Sequence, residues 1–223
     1  MYWLPNPNLY KPWLRNKIRE GRGIGQGPPY TGWFNVRDFP SRGNSHVYRG
    51  IKIDRLFQLC SDLEAIRFLQ LERDHAVSDI REGFPIFDID WTMDACVMLH
   101  IRHSCEDGFP SPFTLDFVVT RRTKDEPPEV AESIKTPVDA TKEDVKLRLS
   151  VESNWCRKRA KIPYVLIDTA PYLKTPYSTK ELLSALEFMR AWFLERYEPD
   201  LQRELRFERA FSTAYEKIRP SRS

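Results

Sequence analysis

The sequence has few of the residues that build zinc sites and disulfide frameworks. It contains only four cysteines, and no two of them share a Cys-x-x-Cys spacing; they are Cys60, Cys96, Cys105 and Cys156. Zinc sites and disulfide-rich domains need closely paired cysteines, so we expect reduced and mostly buried thiols. His100, His103 and Cys105 could supply three metal ligands, but no fourth ligand is evident and a metal site there is disfavoured.

Long apolar runs and nucleotide-binding loops are also missing. No stretch approaches the roughly 20 apolar residues of a membrane-spanning helix, and residues 1–8 lack the charged and apolar regions of a signal peptide. These absences predict a cytoplasmic protein without a membrane partner. The glycine-rich stretch 21–27 matches neither a dinucleotide fingerprint nor a P-loop, and no strand precedes it, so no nucleotide site is predicted.

Positive charge is concentrated near the beginning of the chain. The 223 residues carry a net charge of only +3, but residues 1–60 hold ten Lys/Arg against three Asp/Glu, while residues 61–160 hold 14 against 20. This split predicts a basic arm that meets a polyanion, although a solvated tail without a role would show the same composition. The candidate DNA contacts are Lys11, Arg15, Lys17, Arg19, Arg22, Arg37 and Arg42.

A predicted β-hairpin over residues 113–135 places opposite charges on neighbouring strands. Both ends are rich in β-branched and aromatic residues, and the Pro-containing acidic segment between them turns the chain. A register that pairs the strands brings Lys135 close to Asp116, with Ser133 on the same face as Lys135. Phosphodiester hydrolysis uses hard oxygen ligands for Mg²⁺ and a nearby ammonium, which is the PD-(D/E)xK nuclease pattern. An ordinary surface ion pair would give the same two residues.

Two further carboxylates lie on apolar helix faces. A helix capped by Ser61 or Asp62 and running to about residue 75 carries Glu64 in its apolar stripe, and a helix over about 141–160 carries Glu152 in the same way. A buried carboxylate must be paired or bound to a metal, so each is either a catalytic ligand or one half of an internal ion pair.

The remaining elements complete a mixed sheet flanked by helices. Residues 162–168 form an apolar run typical of a buried strand, which gives the order α-β-β-β-α-β, and a capping box at Ser178 and Glu181 opens a C-terminal helix that a second helix follows. The predicted division is a basic N-terminal arm and loop over 1–50, a nuclease core over 51–172 and a helical C-terminal segment over 173–223. The C-terminal helices carry no chemistry and are expected to pack or dock as an appendage.

Several stretches in the same order resemble the TnsA family, the endonuclease subunits of transposons mobilised by TnsA, TnsB and TnsC, some of them guided by CRISPR complexes. The stretches carrying the resemblance lie at residues 18–27, 41–46, 59–64, 77–85, 114–119, 133–135, 146–155 and 162–167. The resemblance implies a restriction-endonuclease-like α/β fold. It also implies a nuclease dependent on Mg²⁺, for which Mn²⁺ can substitute, that cuts the 5′ ends of the element within a complex with TnsB and TnsC.

The resemblance also implies roles for individual residues. Glu64, Asp116 and Lys135 match the family's catalytic positions, and Glu152 matches a further acidic position. Glu64, Asp116 and the backbone of Ile134 would bind the metal. Relatives often carry Gln or an acid where this chain has Ser133, and the C-terminal part is shorter than the family's winged-helix domain. A catalytically silent scaffold that binds DNA and recruits the other subunits is the alternative.

Overall fold

The computed structural model describes residues 10–38, 44–122, 128–173 and 178–196, and for 191–196 only the helical backbone. The helices are α1 (Pro12–Arg19), α2 (Asp62–Arg73), α3 (Ile89–Met98), α4 (Pro137–Thr141), α5 (Glu143–Trp155), α6 (Ala170–Leu173) and α7 (Thr179–Arg196), with a 3-10 turn at Val36–Asp38 and a π-helical turn at Cys156–Ala160. The strands are β1 (His46–Arg49), β2 (Leu56–Leu59), β3 (Val77–Ile86), β4 (Cys105–Glu106), β5 (Phe109–Pro110), β6 (Phe113–Arg121), β7 (Glu129–Ile134) and β8 (Tyr164–Ile167).

A four-stranded mixed sheet, in the order β3-β6-β7-β8, forms the centre of the fold. The pairs β3/β6 and β6/β7 are antiparallel, and β7/β8 is parallel with α5 in the crossover. The predicted α-β-β-β-α-β order corresponds to α2, β3, β6, β7, α5 and β8, with α3 and the small β4/β5 hairpin inserted before β6. The predicted α/β class, a mixed sheet flanked by helices in the manner of restriction endonucleases, is confirmed.

The central strand β6 is buried on both faces, as its continuous apolar sequence favours. Phe117 packs in a cluster with residues of α2, and Val118 packs in a second cluster with Val151 of α5. The outermost strand β8 is less buried than its apolar sequence predicts, because it pairs on one side only and leaves Val165 and Leu166 about 40% exposed.

The C-terminal helix α7 belongs to the core. The predicted capping box is present: the Glu181 backbone N–H donates to Ser178 Oγ and the Ser178 N–H donates to the Glu181 carboxylate. Leu182, Leu183 and Leu186 are buried in the cluster that contains Phe68 of α2. The helix is therefore packed more closely than an appendage. The predicted second C-terminal helix lies outside the described residues.

The N-terminal segment also packs against the sheet, so its described part is not a free arm. Leu14 of α1 is buried with Trp33 and Ile89, and the hydroxyl of Tyr30 donates to the backbone carbonyl of Glu82 at 3.1 Å. Gly23 has φ +72°, and a Cβ there would overlap the ring of Pro85. This close approach explains why a glycine is needed at position 23.

Several local predictions need correction. Residues 46–59 form the β1/β2 hairpin, and the helix expected from Thr141 is divided into α4 and α5, with Thr136 capping the first. The thiols are divided evenly: Cys96 and Cys156 are buried, whereas the other two are exposed. None of the helices in the described ranges combines the length and low polarity needed to cross a bilayer.

Candidate active site

The β6/β7 hairpin brings Asp116, Ile134 and Lys135 together. The strands pair with Phe117 opposite Glu132, which places Asp116 beside the end of β7. Asp116 Oδ2 accepts the backbone N–H of Ile134 at 2.6 Å and the ammonium of Lys135 at 2.9 Å, and the same ammonium donates to the Ile134 carbonyl at 2.8 Å. Burial opposes the charged form of Lys135, but the negative charges of Asp116 and Glu152 outweigh it and raise its pKa. The lysine is therefore a fixed cation.

Glu64 joins this group from the first turn of α2. Its carboxylate accepts the backbone N–H of Cys60 at 2.9 Å and the hydroxyl of Ser61 at 3.0 Å, while the Glu64 N–H donates to Ser61 Oγ. The sequence left open whether Glu64 forms an internal ion pair. In the structure this capping box holds the Glu64 carboxylate instead. Burial and then the charge of Asp116 raise the pKa of Glu64 to about 7. The charge of Asp116 therefore acts on Glu64, so the two carboxylates lie in one electrostatic environment.

Glu152 supports the hairpin from α5. Its carboxylate accepts the hydroxyl of Ser133 at 2.7 Å and that of Tyr164 at 3.2 Å. Burial and the charge of Asp116 raise the pKa of Glu152 to about 7. Ser133 is 1% exposed, so its hydroxyl faces Glu152 inside the fold.

The candidate donors suit a hard divalent cation. Two carboxylates and a backbone carbonyl are oxygen ligands of the kind that Mg²⁺ prefers. Within the described ranges no three His, Cys, Asp or Glu side chains form a metal cluster, and His103 instead bonds to Thr92 and Ser104. A metal at this site would thus depend on the Ile134 carbonyl, water or a substrate oxygen to complete its coordination.

The structure separates the predicted DNA contacts into different groups. Lys11, Arg15, Arg19 and Arg37 are exposed. Arg22 pairs with Glu20 and Asp38, and Arg42 lies outside the described residues.

Lys17 does not fit the prediction of a phosphate contact, because it is only 8% exposed to solvent. Its ammonium lies 5.7, 5.1 and 5.2 Å from the ring centroids of Trp13, Trp33 and Phe34. Burial lowers its pKa. This aromatic enclosure makes Lys17 a structural residue.

Comparison with known proteins finds a relative for part of the chain. No protein-family model matches the chain. Over 106 residues it is 39% identical to the Tn7 transposition protein TnsA of Escherichia coli, a match that covers 48% of this chain and 38% of that protein.

Part of the chain is thus similar to a TnsA protein. The chain spans well under half of that relative's length.

Sequence reasoning missed Tyr164 in this candidate site. Its hydroxyl reaches Glu152 because parallel pairing aligns Tyr164 with Ala131, two residues before Ser133. The sequence signal was a tyrosine inside an apolar strand, since a buried tyrosine hydroxyl usually has a partner. The partner itself could not be predicted without the β7/β8 register.

Proposed function

We propose that the chain is a metal-dependent DNA endonuclease subunit of a heteromeric transposase, which cuts the non-transferred strands at the 5′ ends of a transposon. The observation that carries the proposal is the convergence of Asp116 and Lys135 at 2.9 Å, with Glu64 close enough for the charge of Asp116 to raise its pKa. Surface ion pairs contribute little to stability, and here the pair is accompanied by the buried carboxylate of Glu152 and the half-buried carboxylate of Glu64, which are costly to charge. Such an arrangement is typical of a catalytic site.

The carboxylates of Glu64 and Asp116, with the carbonyl of Ile134, would hold Mg²⁺, or Mn²⁺ in its place. A bound metal would polarise the scissile phosphate and lower the pKa of a coordinated water. Lys135 would stabilise the charge that develops on the phosphate oxygens, because its raised pKa keeps it protonated. Water then adds to phosphorus as the bond to one ester oxygen breaks.

Glu152 and Ser133 act as positioning residues in this proposal. Glu152 is held by two hydroxyl donors and its charge contributes to the raised pKa of Lys135. It would keep the ammonium charged and directed toward the hairpin. Ser133 would fix the orientation of Glu152 and would not bind the metal itself.

The exposed cations of α1 would contact the DNA backbone. Lys11, Arg15 and Arg19 recur every four residues, so they share one face of the helix, and all three are exposed. The proposed partners are the transposon ends, the transposase TnsB and the ATPase regulator TnsC, in the cytoplasm. The resemblance to TnsA supports these partners, because it extends over several motifs in one order.

A strand-specific nicking assay tests the proposal. Transposon-end duplexes labelled on either strand would be incubated with the chain in Mg²⁺, Mn²⁺ or EDTA, with and without TnsB. We expect metal-dependent cuts on the non-transferred strand. Binding of the ends and of TnsB without any cut, in both metals, would instead favour the silent scaffold.

A further inference from the structure

A second group of cations lies at the end of α5, outside all the residues predicted to contact DNA. Residues 157–161, here called the basic turn, read Arg-Lys-Arg-Ala-Lys and contain no acid. The helix widens into a π-helical turn at Cys156, and Lys161 ends it in the left-handed region with φ 59°. The Cys156 carbonyl accepts the N–H groups of Lys161 and Ile162, and Cys156 itself is fully buried. The cations therefore project from a fixed backbone. Both π-helical turns and left-handed residues other than glycine occur often at functional sites.

Most of the positive charge of the basic turn is not neutralised by the protein. Arg159 pairs with Asp88 at 2.8 Å, and Arg157 donates to the neutral side-chain amide of Asn154. Lys158 and Lys161 are exposed, and in the described part of the chain no carboxylate lies within ion-pair distance of either. A helix C-terminus offers roughly half a negative charge, which cannot balance the three remaining cations.

The beginning of α5 shows the opposite pattern. Lys142 and Lys146 are exposed there, and each has an acidic neighbour, Asp139 at 2.6 Å and Glu143 at 4.0 Å. The exposed lysines at the beginning of α5 thus have a carboxylate within ion-pair distance, whereas those at its end do not. The unaccompanied group is the one at the π-helical turn.

The basic turn and α1 both contact the start of α3. Asp88, which pairs with Arg159, immediately precedes Ile89, and Ile89 is buried in the cluster that contains Tyr10 and Leu14. Besides Asp88, α3 contributes the acids Asp90 and Asp94.

The basic turn is connected to the candidate active site through Tyr164, whose hydroxyl donates to Glu152. Lys161 is three residues before Tyr164, so extended chain geometry limits the separation of the Lys161 and Tyr164 Cα atoms to about 10 Å. Tyr164 is aligned with Ala131, toward the beginning of β7, whereas Asp116 lies beside the end of β7. One strand of duplex DNA has a phosphate about every 3.4 Å of helical rise, so the turn would meet phosphates several nucleotides away from a scissile bond at Asp116.

We propose that the basic turn binds the phosphodiester backbone of the duplex DNA substrate, through Arg157, Lys158 and Lys161. The inference rests on the proposed function, because it assumes that DNA is the substrate. Binding of this kind is independent of sequence and depends on salt, since each phosphate contact releases condensed counterions. It would extend the DNA contact of α1 across the start of α3.

The test measures DNA affinity without chemistry. The full chain and the triple variant Arg157→Gln, Lys158→Gln, Lys161→Gln would be titrated against a fluorescent duplex in EDTA, at several salt concentrations. The matched control is Lys142→Gln, Lys146→Gln, Lys180→Gln, which removes the same charge from exposed lysines elsewhere. Thermal unfolding of all three proteins would establish that the fold is retained.

We expect the turn variant to lose about 10-fold in affinity and its salt slope to fall by about two to three units, close to 0.9 per lost phosphate contact. The control should lose less than about 2-fold, because it changes only the overall charge. Equal losses in the two variants would overturn the inference. Because the chain cannot cleave DNA in EDTA, that result would leave the proposed nuclease function unaffected. Conversely, absence of nicking in Mg²⁺ would not change the measured binding.

Discussion

The ammonium of Lys135 bridges Asp116 and the carbonyl of Ile134, at 2.9 and 2.8 Å. These two oxygens are also proposed metal ligands, so the lysine and the metal would share the same negative region of the hairpin. Asp116 is additionally held by the backbone N–H of Ile134. Its side chain is thus fixed before any metal binds, which favours a single coordination geometry.

Replacing Asp116 by alanine should lower the rate of nicking at the 5′ ends by at least about 100-fold, because it removes a metal ligand and the partner of Lys135. Joining of the 3′ ends by TnsB should continue, so the transposition products should become cointegrates. Strand-specific nicking and sequencing of the products would measure both effects. Asp54→Ala, which removes an exposed carboxylate paired with Arg49, is the matched control and should nick normally. Unchanged nicking by the Asp116 variant would exclude this site.

The sequence predicted the hairpin and the two helices with buried carboxylates, because local periodicity determines which residues share a strand or helix face. It did not predict that Glu64 is held by Ser61, or that Lys17 is enclosed by aromatic rings. Both depend on which elements come together in space. The sequence did not predict the packing of α7 against Phe68 for the same reason, since an amphipathic helix does not specify the surface that it packs against.

Replacing Ser133 by alanine tests whether this residue acts through Glu152. The variant loses the 2.7 Å hydrogen bond to Glu152, which should lower the nicking rate by about 3- to 30-fold, equivalent to about 1–2 kcal/mol. The Mg²⁺ concentration giving half-maximal rate should not change, because the hydroxyl is not a ligand. A large increase in that concentration would show that Ser133 binds the metal. Ser133→Thr, which retains the hydroxyl, should restore part of the rate.

The raised pKa of Glu152 predicts that stability falls as pH rises. In the unfolded chain a glutamate titrates near 4.3, whereas in the fold the pKa is about 7, so between these values the native state holds a proton that the unfolded state has lost. The contribution is fully present below the unfolded pKa and is lost as pH rises through 7. It amounts to about 3–4 kcal/mol, and Glu64 should add to it in the same direction.

Metal-free thermal unfolding between pH 5 and 8 would measure this dependence. Glu152→Gln stays neutral while its amide oxygen can still accept from Ser133 and Tyr164. Its unfolding temperature should vary less with pH and should exceed that of the unmodified chain at pH 8. A slope equal to that of the unmodified chain would contradict the assignment of Glu152 as a buried titrating group.

Lys17 and Lys11 should behave differently when each is replaced by glutamine. Lys17→Gln removes a cation from an aromatic enclosure and should lower the free energy of unfolding by about 1–3 kcal/mol. It should leave the salt slope of DNA binding unchanged. Lys11→Gln should leave stability nearly unchanged and reduce the slope by about 0.9. Chemical denaturation and DNA titration would separate the two, and a reduced slope for Lys17→Gln would restore it as a phosphate contact.

The burial of α7 predicts that its leucines stabilise the fold and that its exposed face is free for other contacts. Leu186 is 2% exposed within the cluster around Phe68, so Leu186→Ala should lower the free energy of unfolding by about 2–5 kcal/mol. Phe188 is 71% exposed, and Phe188→Ala should change stability by less than about 0.5 kcal/mol.

Arg190 strengthens the docking of α7 through its 2.9 Å ion pair with Glu72, which is itself buried. Truncation before α7 would therefore expose the apolar surface of α2 and leave a charge unpaired, so it should yield an unstable or aggregating chain. Denaturation of the two point variants decides the matter: equal stability would show that α7 is a dispensable appendage.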